Sequence, residues 1–321
     1  MALWAGIDEA GYGPVLGPLV VGCTAFNVPD GPRNRTLWGL LGDAVSRKSV
    51  PADGRVVVDD SKVVYTRARG IRMLEEGVLT FVGCLGAPPD SVGRLLSSVL
   101  SPADAMTDGS LWFDSVGSIP LPLASNASAL ASKAAVLAET LRGSRVQFVS
   151  ARISIVLPGE FNRIVSRTRN KSYLLFQKCG LLLQGLWQMA AGQKVHVLVD
   201  RHGGRQHYRT LLRDAFPYCA CDVLREGAEE SAYHLSDENR TMWVTFQESA
   251  DRLALPVSLA SMFAKYVREL YMHAFNTYWQ ARLEGLRPTA GYARDARRFL
   301  SDIAPLVERE VPDTSTLIRG R

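Results

Sequence analysis

The chain has no apolar run approaching the roughly 20 residues that a bilayer span requires. Its stretch LVVGCTAFNV at 19–28 is too short for one and predicts a strand instead. No basic segment followed by an apolar core opens the sequence, and Asp8 and Glu9 stand where a secretion signal would be apolar. Cysteine is sparse: five residues, an odd number without repeating spacing, which argues against an extracellular disulfide framework. Internal repeats and low-complexity tracts are missing too. These absences predict a soluble, cytoplasmic protein with no membrane partner.

What is present is ordinary globular composition, 47% hydrophobic and 21% charged over 321 residues, enough for one large domain or two small ones. The net charge of +5 and pI of about 9.0 suit a polyanionic partner without requiring one.

Apolar segments at 3–8 and 19–28 predict two strands joined as a hairpin, their loop rich in glycine and proline. A brief apolar run, RVVVDDSK at 55–62, precedes a helical pattern over 66–82. Residues 86–126 are rich in Pro, Gly, Ser and Asp, which predicts an insertion or lid outside the core. Helices are predicted over 127–143, 172–192 and 256–283, and a last one closes the chain. Strands are predicted at 145–157, 194–200 and 220–224, followed by an acidic polar loop to about Asp251. Strands alternating with helices imply an α/β layered fold.

The chemistry lies in the acids. Asp8 and Glu9 end one apolar strand and Asp200 ends another, which places them at a sheet edge where ligands bind in open α/β folds. Ser261, Lys265 and Glu269 follow at four-residue spacing and form a polar stripe on the long helix. Carboxylates brought together repel one another and rise in pKa unless a cation neutralises them. Oxygen-only ligation suits a hard ion such as Mg²⁺ or Mn²⁺. Two such ions held by acids are suited to phosphodiester hydrolysis.

Simpler readings exist for each part. An Asp at a strand end also serves as a turn residue or helix cap, and Lys265 with Glu269 also makes an i,i+4 helix pair. The glycine loop also suits a dinucleotide turn, but a strand follows it and two acids would repel a pyrophosphate. A zinc site from His202, His207, Cys219 and Cys221 lacks a usual ligand spacing. The two histidines are expected on the surface, in the basic stretch RHGGRQHYRTLLR.

GIDEAGYGPVLGPLVVG at 6–22 resembles the opening motif of type 2 ribonuclease H, the family of ribonuclease HII and the catalytic subunit of its eukaryotic counterpart. DDSK at 59–62, VLVD at 197–200, SADRLALPVSLASMFAKYVRE at 249–269 and AGYARDARRFL at 290–300 are similar to further motifs of that family, in the same order.

The resemblance implies a single ribonuclease H-like domain over 1–321: a mixed sheet flanked by helices. It would carry an insertion at about 86–143 and a C-terminal helical extension at about 256–321. It implies Asp8, Glu9, Asp200 and Glu269 as catalytic ligands for two Mg²⁺ or Mn²⁺ ions. Gly11, Tyr12, Gly13 and Tyr292 would read the ribonucleotide, whose 2′-hydroxyl distinguishes RNA from DNA. Ser61, Lys62 and Lys265 would contact phosphate or hold the site together. The implied reaction cuts the RNA strand of RNA/DNA hybrids, or ribonucleotides embedded in DNA, leaving 3′-hydroxyl and 5′-phosphate ends. Three departures stand out: Glu269 where the family has Asp, Tyr12 where the loop has arginine, and extra length relative to a typical member, mostly at 86–143 and 201–248, which would supply extra contacts or a lid. Two rival functions are a catalytically inactive hybrid-binding relative, disfavoured by the retained acids, and a structure-specific DNA nuclease of the same fold.

Overall fold

The computed structural model describes residues 1–29, 36–48, 54–66, 68–190 and 192–320. Positions 67 and 191, inside two of the expected helical spans, lie outside the described residues. In chain order the strands are β1 (Ala2–Ala10), β2 (Leu19–Val28), β3 (Val45–Ser46), β4 (Val56–Val57), β5 (Gln147–Val156), β6 (Lys194–Asp200), β7 (Ala220–Glu226), β8 (Glu230–Ser236) and β9 (Thr241–Gln247). The helices are α1 (Leu37–Leu40), α2 (Ser61–Val64), α3 (Arg72–Gly83), α4 (Val92–Val99), α5 (Ala127–Ser144), α6 (Pro158–Thr168), α7 (Lys171–Met189), α8 (Arg209–Ala215), α9 (Leu255–Gln280) and α10 (Ala293–Glu310).

Seven strands form one mixed sheet in the order β5-β2-β1-β6-β9-β8-β7. β1 and β2 pair antiparallel, as the hairpin pattern predicts, while β1, β6 and β9 run parallel at the centre. Side chains alternate across the sheet and feed two cores. Leu19, Val21, Cys23 and Ala25 of β2 pack with α7 and α8 residues such as Leu183 and Leu212. Val20, Phe26 and Val28 face the other way, toward the core built around α3, α4 and α9. α9 lies unusually close to the sheet. A Cβ on Gly6 would sit 2.2 Å from the Val257 amide nitrogen, so only glycine admits the helix there.

Two expectations change. Residues 86–126 do not stay outside the core: Val92, Leu95, Leu96 and Val99 of α4 are buried, as are Trp112, Phe113 and Val116. The i, i+3, i+4, i+7 spacing of the four α4 residues supplies one face of a short helix despite the surrounding polar composition. The supposed acidic loop before Asp251 contains β8 and β9, with Ser231, Tyr233 and Leu235 of one and Met242, Val244 and Phe246 of the other buried. Charged turns at their ends masked a clean two-residue alternation. α10 closes the chain as expected. None of the described helices is long and apolar enough to cross a membrane.

Candidate metal centre

Parallel pairing of β1 with β6 sets Ile7 opposite Val199, so the next residues along, Asp8 and Asp200, emerge side by side. Asp8, Glu9 and Asp200 each offer a carboxylate oxygen, and these atoms lie within 4.8 Å of one another. Burial and the Glu9 and Asp200 charges raise the Asp8 carboxyl well above its ordinary range. Burial and Asp200 push Glu9 up to about 8, and burial chiefly raises Asp200. Such mutual repulsion is what a bound cation relieves.

A fourth acid stands beside them, one that the sequence reading did not choose. Asp251, in the 3₁₀ turn between β9 and α9, is 7% exposed. Burial, Asp60 and Asp200 push its carboxyl up to about 6. The turn is fastened to the site, because the Ala250 amide donates to Asp200 Oδ1 at 2.9 Å. Glu269, by contrast, is not part of the acid group. Its carboxylate accepts from Tyr65 Oη at 2.9 Å and Lys265 Nζ at 2.5 Å, with Arg268 Nη1 at 3.4 Å. Lys265 is thereby taken up by Glu269 and lies over the Tyr65 ring. An acid in SADRL just ahead of a proline-started helix was the available signal for Asp251.

The DDSK segment reaches the acids from the α9 side of the sheet. Asp60, 3% exposed, caps α2 by accepting from the Lys62 amide at 2.9 Å. The Lys62 charge favours the ionised forms of Glu9, Asp200 and Asp251. Ser261 Oγ donates to Ser61 Oγ at 2.9 Å, and the Ser261 hydroxyl favours the ionised form of the Asp8 carboxyl.

The glycine loop turns away from the acids under tight constraint. Gly11 has φ +89°, and a Cβ there would meet Pro18 O at 2.5 Å and Arg268 Nε at 2.6 Å. Around Gly13 the space is open. Arg319, 2% exposed, holds the loop by donating to Gly11 O at 2.6 Å and Tyr12 O at 3.1 Å. Buried Arg268 lies against Gly11 on one side and 5.8 Å from the Tyr292 ring on the other, so the structure brings Tyr292 to this loop. Tyr292 itself is 52% exposed.

His202 departs from expectation. It is 3% exposed, packed among Phe176, Tyr208 and Phe246, and burial lowers its pKa to about 3. Tyr208 and Phe246 stack there and give the basic stretch an apolar anchor. His207 is exposed and meets Glu226 at 2.7 Å. Neither histidine nor Cys219 or Cys221 belongs to a candidate metal cluster among the described residues.

No family model matches the chain, and no curated protein does. Among solved structures, the chain is similar to the ribonuclease HII of Archaeoglobus fulgidus, solved in a complex with PCNA. Identity is 16%, over 99% of this chain and 94% of that one, with a TM-score of 0.43. It is also similar to the ribonuclease H2 of Pyrococcus horikoshii, at 16% identity over 98% and 92% of the two chains, with a TM-score of 0.38. A third similar structure is Bst-RNase HIII in complex with Mn²⁺, at 12% identity over 99% and 66%, with a TM-score of 0.42.

Proposed function

We propose that this protein is a metal-dependent endoribonuclease that hydrolyses the RNA strand of RNA/DNA hybrids. The observation that carries the reading is the convergence of Asp8, Glu9 and Asp200 within 4.8 Å, with all three carboxyls raised in pKa. An all-oxygen, multiply charged donor set fits Mg²⁺ or Mn²⁺, and it lacks the histidine and cysteine donors that zinc and copper sites favour. Asp251 is the fourth carboxylate in this reading, in place of Glu269. When bound, the ions would activate water and offset charge on the leaving oxygen.

The chain's own residues do the rest. Two of the four acids are held by backbone amides, Asp8 Oδ1 by that of Glu9 at 2.7 Å and Asp200 Oδ1 by that of Ala250 at 2.9 Å. Lys62 balances part of their charge. The Gly11–Gly13 backbone, with open space at Gly13, admits a sugar edge to the peptide groups, and Tyr292 offers an exposed ring for stacking.

The test is to incubate a labelled RNA/DNA hybrid with the protein in Mg²⁺ or Mn²⁺ and to analyse the product ends. Cutting that leaves 3′-hydroxyl and 5′-phosphate ends, stops in EDTA and falls about a thousandfold in Asp8→Asn supports the reading, since each ~1.4 kcal/mol is tenfold in rate. Undiminished cutting in EDTA, or a tenth of wild-type turnover in Asp8→Asn, overturns it.

A further inference from the structure

The glycine loop has no cation of its own, because Tyr12 stands between its two glycines. A phosphodiester backbone lying along peptide groups needs positive charge nearby, since phosphate contacts dominate nucleic-acid affinity. Among the described residues, Arg268 and Arg319 touch this loop and Arg205 stands on its flank, and their hydrogen bonds distinguish them. Arg268 is buried and committed to Ala290 O at 2.9 Å and Leu16 O at 3.4 Å. Arg319 is buried, spends its terminal nitrogens on Gly11 O and Tyr12 O, and lies 4.0 Å over the Phe161 ring. Both hold the protein together.

Arg205 is different. It sits in the stretch after β6, and only its Nε is committed, donating to Ser172 Oγ at 3.0 Å in the first turn of α7. Its guanidinium lies 5.9 Å from the ring of Tyr208, which is itself buried. Among the described residues, neither of its terminal nitrogens has a hydrogen-bond or ion-pair partner. It is only partly exposed, so Ser172 and Tyr208 fix a guanidinium edge that is free to take an anion. The Phe161 ring joins this place to the loop: it lies 4.0 Å from the Arg319 guanidinium that holds Gly11 and Tyr12, and 5.9 Å from Nζ of Lys171, the neighbour of Ser172. Burial and Glu9 raise the Tyr12 pKa, and the charges of Arg205 and Arg319 oppose that rise. Lys171, adjacent to Ser172, adds positive charge at the same end of α7.

We propose that Arg205 supplies the phosphate-binding cation of the glycine loop, contacting a backbone phosphate of the strand that lies along Gly11–Gly13. This assignment rests on the hybrid-hydrolase reading. Arg205 is a binding residue here, bidentate to phosphate through its two terminal nitrogens, with Ser172 setting its angle.

The experiment measures binding of a fluorescent RNA/DNA hybrid by anisotropy at several salt concentrations. It is run in Ca²⁺, which accepts loose oxygen coordination and so supports binding with little cutting. Arg205→Gln is expected to weaken hybrid binding about fivefold to tenfold at low salt and to reduce the salt slope by about one phosphate's worth. Arg205→Lys keeps the charge and loses the Ser172 bond, so it is expected to keep the slope while binding more weakly. Tyr12→Arg added to Arg205→Gln places a cation on the loop again and is expected to restore the slope. If wild type binds the hybrid and Arg205→Gln binds it with unchanged affinity and slope, Arg205 contacts no phosphate and the hydrolase reading stands without it. A slope lost equally in Arg205→Lys and Arg205→Gln, or left unrestored by Tyr12→Arg, overturns the assignment too. If wild type neither binds nor cuts hybrids, the functional reading falls, and this inference with it.

Discussion

Ser261 Oγ and Ser61 Oγ meet at 2.9 Å although 200 positions separate them in the sequence, and the Ser261 hydroxyl favours the ionised form of the Asp8 carboxyl. The pair fastens α2 to α9 directly behind the acids. Ser261→Ala is therefore expected to cost about 1 kcal/mol of stability by breaking the bond to Ser61 and to weaken divalent-metal binding, because Asp8 loses a polar neighbour that favours its charged form. Ser61→Ala removes only the outer partner and should affect metal binding less. Thermal melts and a Mn²⁺ titration of both variants check the order. Equal metal affinities in Ser261→Ala and wild type would show that Asp8 does not depend on this hydroxyl.

Asp251 and Glu269 make opposite predictions. Asp251→Asn is expected to lower hybrid cleavage at least a hundredfold, about 2.7 kcal/mol of barrier, and to weaken metal binding. Glu269→Gln leaves the acid group intact and loses charge-assisted bonds to Lys265 and Tyr65, so it should cost about 1–2 kcal/mol of stability and less than tenfold in rate. Single-turnover rates at saturating metal, read beside melting temperatures, separate the two. The reverse ranking would return Glu269 to the metal site.

The raised carboxyls predict how stability depends on pH. An unfolded carboxyl loses its proton near pH 4, whereas Glu9 is pushed up to about 8 and Asp251 to about 6 in the fold. Between those limits the metal-free folded state binds more protons than the unfolded one, so its stability falls as pH rises through the window. A divalent ion favours the ionised acids and opposes that fall. Melting temperatures in EDTA should drop from about pH 5 to about pH 8, and added Mg²⁺ should stabilise more at the higher pH. A Mg²⁺ effect equal at both ends would mean that these acids do not share an ion.

Glu75 carries a structural prediction away from the site. Fully buried in α3, it accepts from the Leu123, Ala124 and Ser125 amides at 2.6, 2.8 and 2.7 Å and from Tyr266 Oη at 2.9 Å. One carboxylate thus joins the 121–125 segment to α3 and α9. Glu75→Gln keeps the shape but turns part of the acceptor set into a donor facing donors, at an expected cost of about 2–4 kcal/mol. Urea denaturation measures it, and a change within about 0.5 kcal/mol would show the latch to be dispensable.

Much of the site is local in sequence and was legible there. A strand ending in Asp8–Glu9, a second ending in Asp200 and a loop rich in glycine and proline are each written in a dozen residues or fewer. So are the hairpin of β1 and β2 and the long apolar patterns of α7 and α9, since a two- or 3.6-residue period reports a buried face directly. Tertiary structure decided what spacing along one helix could not. Glu269 shares a helix stripe with Ser261 and Lys265, but eight residues of α-helix at 1.5 Å each carry it about 12 Å along the axis from Ser261, into the reach of Tyr65. Asp251 belongs with the acids because its turn is bonded to the end of β6. The same through-space logic buried His202 against Tyr208 and set Arg205 on Ser172 at the start of α7. Sequence determined which residues were chemically able to form the site; packing of α9 and the β6–α8 stretch on the sheet determined which of them do.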